Sequence, residues 1–200
     1  MIYRLSMWLT SWFVEHEALK REDYDVYVYC IDSLLNKVFF YGVIITVAGI
    51  FHILPITFWY YVGFIPFRYT AGGYHAKTET ACSLLSWTVY GLSMIFVINM
   101  RFADMPIQLI PLILISVDTL IAWRYAPVAH INKPVASAQK QKLRKVCLCF
   151  QGCYLWVTML LIWQHSYNFA FSLALGNSIA AIFLVLAYYQ GKDAHLKGGG

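Results

Sequence analysis

Within fifteen residues the chain sets out a base, a thiol, cations and a glycine pair: Arg68-Tyr-Thr-Ala-Gly72-Gly73-Tyr-His75-Ala-Lys77-Thr78-Glu79-Thr80-Ala-Cys82. A cysteine with a histidine suffices for covalent catalysis. The thiol is a weak nucleophile until deprotonated, and an imidazole can take its proton or pair with the thiolate. Proton transfer needs contact near ~3 Å. Seven positions on one straight helix separate two residues by about 10.5 Å, so His75 and Cys82 cannot share one. The Gly72-Gly73 pair supplies a bend, and Thr78 or Thr80 can cap a new helix. The expectation is therefore Cys82 in the first turn of a helix, where the thiolate form is favoured, with His75 on a loop folded back over it. Glu79 reads either as the group that orients His75 or as a solvated acid at a helix start. Arg68 reads as an anion-binding or oxyanion group, or as an interfacial cation. Lys77 is expected to anchor at the inner leaflet.

The elements that must hold this segment are apolar. Of 200 residues, 60% are hydrophobic and 12% charged, about half the charge of an average soluble domain; the mean hydropathy is +0.58. A soluble protein of this size cannot hide so much apolar surface. A soluble enzyme, a disordered chain and a nucleic-acid binder are excluded. The reading is an all-α polytopic membrane helix bundle of about six apolar segments. Five are long: Val38–Leu54, Ala81–Met100, Met105–Trp123, Val146–His165 and Phe169–Tyr189. The sixth, Ile56–Phe67, lies between Pro55 and Pro66 and is expected to be short, tilted or re-entrant. Residues 1–37 read as amphipathic interfacial helices, Met1–Phe13 and Glu15–Lys37. The embedded domain is 38–189, with a chemical segment at 68–82. Residues 190–200 form a tail, in which Gly198–Gly200 is expected to be an expression scar. No cleavable signal peptide is expected.

Residues 124–145 carry six bases (Arg124, Lys133, Lys140, Lys142, Arg144, Lys145) and no acid. Such a loop faces the cytoplasm. The 101–104 link and the 166–168 link then face outward, and both termini lie inside. The five cysteines, an odd number, are read as free thiols. Cys147, Cys149 and Cys153 are read as packing residues, with no metal site and no cofactor. Asp118 is the formally charged residue well inside an apolar span, which flags function. His52, Asn99, Gln151 and Asn177 are expected to bond between helices. A small transporter or channel, with a polar path along Asp118, His52 and Asn99, is the alternative to catalysis.

At 68–82 the chain resembles the accessory gene regulator protein B (AgrB) family of membrane cysteine endopeptidases, which process quorum-sensing peptide precursors in Gram-positive bacteria. The matching positions are Arg68, Gly73, His75, Ala76 and Cys82. A second match is Tyr125-Ala126-Pro127 followed by Asn132-Lys133-Pro134 and a basic run. Ala71-Gly72 departs from the pattern, since some relatives carry another histidine there, and Asp118 is no family landmark. The resemblance implies His75 and Cys82 as the catalytic pair, supported by Arg68 and Gly73. The implied substrate is an AgrD-like precursor with an amphipathic leader, a short core and an acidic tail. The implied setting is the cell membrane of a Gram-positive bacterium, as a homodimer. With that substrate, Lys133, Lys140, Lys142, Arg144 and Lys145 become candidates for attracting the acidic tail.

Overall fold

The computed structural model describes the chain except residues 1, 17, 19, 75–77, 101–104, 129–136 and 198–200, and the side chains at 79–80, 105–107, 137–138 and 192–197. The described elements are α1 (Ile2–Glu15), a 3-10 turn at Arg21–Asp23, α2 (Tyr24–Ile50), α3 (Leu54–Ala71), α4 (Glu79–Asn99), α5 (Met105–Tyr125), α6 (Ser137–Trp163) and α7 (Tyr167–Lys197). Five of these helices are long and apolar enough to cross a membrane: those within Arg21–Ile50, Ala81–Asn99, Gln108–Tyr125, Gln139–Trp163 and Tyr167–Gly191. The chain is an all-α polytopic membrane bundle. It divides into two compact units at Ile53–Leu54.

The first unit is an antiparallel helix pair. Ser6 and Thr10 sit one turn apart on α1 and are fully buried. Their hydroxyls tolerate burial because each has an acceptor: Ser6 Oγ donates to Tyr3 O at 2.8 Å, and Thr10 Oγ1 to Ser6 O at 2.8 Å. Across the pair, Ser6 Oγ reaches Asp32 Oδ1 at 3.4 Å and Ser11 Oγ pairs with Tyr24 Oη at 3.0 Å. The outer face of α1 shows Tyr3, Leu5, Trp8 and Trp12. The sequence pattern placed an interfacial helix up to Lys37 and a span from Val38. A single helix, α2, runs through both, because nothing at 36–38 interrupts its backbone bonds. Its end is set by His52, at φ +54°, with Ile53 N donating to Ala48 O at 2.9 Å. His52 thus turns the chain in the left-handed conformation.

In the second unit α7 is central, with 67% of its apolar stretch buried. It runs parallel to α3, and the two backbones meet at glycines. A Cβ on Gly63 would strike the carbonyl oxygen of Leu173, and one on Gly176 that of Tyr60. The expectation of a twelve-residue element between prolines is corrected here. α3 has 18 residues, a length of about 27 Å. Pro55 falls in its first turn, where no backbone donor is missed. Pro66 lies inside the helix and deprives Val62 O of its usual donor. Tyr154 of α6 supplies one instead, its hydroxyl donating to Val62 O at 2.7 Å.

A polar knot ties α5, α6 and α7. Asp118 Oδ2 accepts from Asn177 Nδ2 at 2.9 Å and from Ser178 Oγ at 2.7 Å. Gln151 and Asn177 exchange bonds at 3.0 and 3.2 Å. Gln151 and Asn177 are thus interhelical partners as expected. Asn99 is not: its amide donates to Ile95 O in its own helix at 2.8 Å.

Candidate active site

α3 and its partners converge on one end of the second unit. α3 and α5 end there, α4 and α6 begin there, and α7 arrives with Phe183–Tyr189. At the close of α3, Gly72 N donates to Arg68 O at 3.1 Å. Gly72 then takes φ +84°, a conformation that suits glycine, and reverses the chain. Tyr74 N donates to Phe183 O on α7 at 2.8 Å. α4 starts at Glu79, two residues after the segment 75–77 ends. Thr78, extended at φ −127° and ψ 150°, is its N-cap, with Oγ1 accepting from Ala81 N at 3.2 Å. Cys82 is the fourth residue of α4. Its N–H donates to Thr78 O at 3.0 Å, and its side chain is half-buried.

The capped helix start expected around Thr78 and Cys82 is therefore present, and so is the glycine turn. His75, Ala76 and Lys77 lie outside the described residues, as does the Glu79 side chain. What is described is the frame on either side of His75: a bonded residue at 74 and a capping residue at 78.

Arg68 is part of that frame. Its guanidinium donates from Nη2 to Tyr74 O and lies over the rings of Phe183 and Phe64, with centroid distances of 5.2 and 5.9 Å. It occupies the space where a Cβ on Gly73 would project. The pairing of Arg68 with a glycine five residues on follows from this: the guanidinium passes against the loop backbone. Tyr74 is held through both its N–H and its C=O.

A second contact escaped sequence reasoning. After α5, Ala126 and Pro127 are buried, and Val128 N donates to Ala71 O at 2.9 Å. Val128 O lies 2.6 Å from where a Cβ on Gly72 would stand. The residue that follows Tyr125-Ala126-Pro127 thus packs on Ala71 and Gly72, within the segment that opens at Arg68. The core around this contact holds Phe67, Ala71, Ala122, Ala126, Cys147 and Ala180.

The basic residues divide. Lys140, Lys142 and Lys145 are exposed on the first turns of α6. Arg144 is also exposed, yet its Nη2 donates to Trp123 O near the end of α5, so it joins two helices as well as adding charge. Lys133 lies outside the described residues, as do the 101–104 link and Gly198–Gly200. Cys147 is buried while Cys149 and Cys153 are exposed, so these three thiols do not converge. Asp118 is held by Asn177 and Ser178, and Asn99 is not among its partners.

The family model for accessory gene regulator B matches residues 6–185. The chain belongs to this family. Among curated relatives, Protein FsrB of Enterococcus faecalis is 31% identical over 125 residues, covering 60% of this chain and 51% of that protein. The chain spans about half the length of the curated relative it matches. No solved structure matches. The matched range takes in both segments that meet at Gly72 and Val128.

Proposed function

We propose that this AgrB-family protein is a membrane cysteine endopeptidase that removes the C-terminal tail of an AgrD-like precursor in quorum sensing. The observation that carries the reading is Cys82 in the first turn of a capped helix, after a loop tied down on both sides of the His75 segment. His75 takes the proton from Cys82 Sγ. The thiolate adds to the carbonyl carbon at the core–tail junction. The C–N bond then breaks, the imidazolium returns its proton to the departing amine, and the core remains as an acyl thioester. An internal thiol of the core attacks that carbonyl. It forms a thiolactone, releases Cys82, and passes its proton back by way of His75. A serine in the core gives a lactone. Exchange of one thioester for another is nearly balanced, so the ring forms only if water is kept out and the thiol is held near the acyl carbon.

Arg68 acts as a strut for the loop rather than as a ligand for the substrate, since its guanidinium is engaged by Tyr74 O and two aromatic rings. Gly73 leaves room for it. The site lies on the cytoplasmic side with both termini, beside the exposed lysines of α6, which attract the acidic tail through their summed field. Residues 1–37 lie against lipid, and two copies associate.

The test is co-expression with an AgrD-type precursor carrying a leader, a cysteine-containing core and an acidic tail. Cys82→Ala and His75→Ala are expected to abolish release of the tail. Cys82→Ser should leave at most a slow ester-forming activity. Tail release by both alanine variants at the wild-type rate would refute the proposal.

A further inference from the structure

Resting on that reading, we infer that the backbone of Val128 is a positioning element for the reaction: the strap 126–128 sets the turn from which the His75 segment departs. Three observations carry this. The Val128 N–H occupies Ala71 O, one of the carbonyls that the end of α3 leaves without a helical donor. The Val128 carbonyl fills the space beside Gly72 that any larger residue would need. Gly72 itself stands at φ +84°, so the direction in which the chain leaves α3 is fixed at the residue the strap touches.

From Gly72 only two residues lead to His75, and Tyr74 is bonded to Phe183 O and to Arg68. The strap is in turn rooted in α5: Ala126 N donates to Ala122 O at 2.9 Å, and Ala126 is buried among Phe67, Ala71 and Cys147. It has little freedom to shift without α3 and α5 moving together. Val128 contributes through main-chain atoms, so its side chain is replaceable while its N–H is not. The strap touches neither substrate nor reacting atoms in this account; it acts through the loop.

The experiment uses the full-length protein in lipid nanodiscs and reads the pH profile of iodoacetamide alkylation at Cys82, located by mass spectrometry. It needs no substrate. His75→Ala defines the profile of an uncoupled thiol. Val128→Pro removes the N–H, and Val128→Ala retains it. The expected result is a Val128→Pro profile that matches His75→Ala, a Val128→Ala profile that matches wild type, and a fall in precursor cleavage of about tenfold to a hundredfold for the proline variant, in kcat rather than KM. Gly72→Ala, which drives a Cβ against Val128 O, should repeat the proline result and carries the test alone if Val128→Pro does not fold. Wild-type profiles in the folded variants, beside an altered His75→Ala, would overturn the inference and leave the peptidase reading standing. A wild-type profile in His75→Ala would overturn both.

Discussion

Replacing Asp118 separates a structural carboxyl from one whose charge is needed for processing. Its Oδ2 accepts two hydrogen bonds, from Asn177 Nδ2 at 2.9 Å and Ser178 Oγ at 2.7 Å, in a site where the residue is 4% exposed. Interhelical polar bonds inside membranes are worth roughly 0.6–2 kcal/mol each. In Asp118→Ala the accepting oxygen and both bonds to it vanish, but neither donor is left unpaired. Ser178 can turn its hydroxyl to a carbonyl one turn back in α7, and Asn177 Nδ2 keeps Gln151 Oε1 at 3.2 Å. The net cost is about 1–2 kcal/mol, or about 5–30-fold in the folding equilibrium. Asp118→Asn keeps a carbonyl oxygen for both donors and should cost under about 1 kcal/mol. The assay is unfolding in mixed micelles by titration with dodecyl sulfate, followed by circular dichroism, with precursor cleavage measured on the same samples. Stability should rank wild type, then Asp118→Asn, then Asp118→Ala. Cleavage per folded molecule should stay within about threefold of wild type in both. An Asp118→Asn protein that folds normally yet cannot process precursor would refute this reasoning, because the isosteric amide removes only the capacity for charge.

Tyr154→Phe leaves Val62 O without the donor that stands in for the amide missing at Pro66. It should destabilise the bundle by about 1 kcal/mol in the same titration, whereas Tyr154→Phe combined with Pro66→Ala should recover most of that loss. Gly63→Ala and Gly176→Ala each push a methyl into a backbone carbonyl across the α3–α7 crossing. Each should cost about 1–3 kcal/mol, seen as lower thermal midpoints. Joint neutralisation of Lys140, Lys142 and Lys145 should raise the KM for a precursor with an intact acidic tail and flatten its salt dependence. Arg144→Gln should instead lower stability through the lost bond to Trp123 O.

The existence of the helices was legible because apolar runs of span length admit few other structures. Their ends were less so. Pro55 and Pro66 look in sequence like the limits of a short segment. One sits where a helix misses no donor, and the other is compensated by a tyrosine from a helix far along the chain, which no local pattern announces. His52 and His165 carry no signal that they adopt positive φ at helix ends. At the site, the Thr78 cap and the Cys82 first turn were legible because capping is local chemistry. The seating of Arg68 against Gly73, and of Val128 against Gly72, was not. Spacing can mark a residue as paired with another, but only packing reveals that a glycine is small because a guanidinium or a carbonyl stands beside it.

The same packing bears on how a thiol enzyme at a membrane edge would favour ring closure over hydrolysis. Helix ends ordinarily recruit water to unpaired backbone groups. Among the described residues at this end of the bundle, several such groups are paired within the protein: Val128 with Ala71, Phe183 and Arg68 with Tyr74, Thr78 with Ala81, and Arg144 with Trp123. On the proposed reaction, an apolar precursor core can displace water from the thiol without undoing the bonds that hold Ala71, Tyr74 and Ala81. The trade is rigidity. Ala71 and Tyr74, fixed through backbone bonds, cannot travel far, and on the proposed reaction the peptide must adapt to them. On the same proposal the basic face of α6 has a physical purpose: a field that holds a flexible tail nearby lets the core search for the geometry that the site accepts.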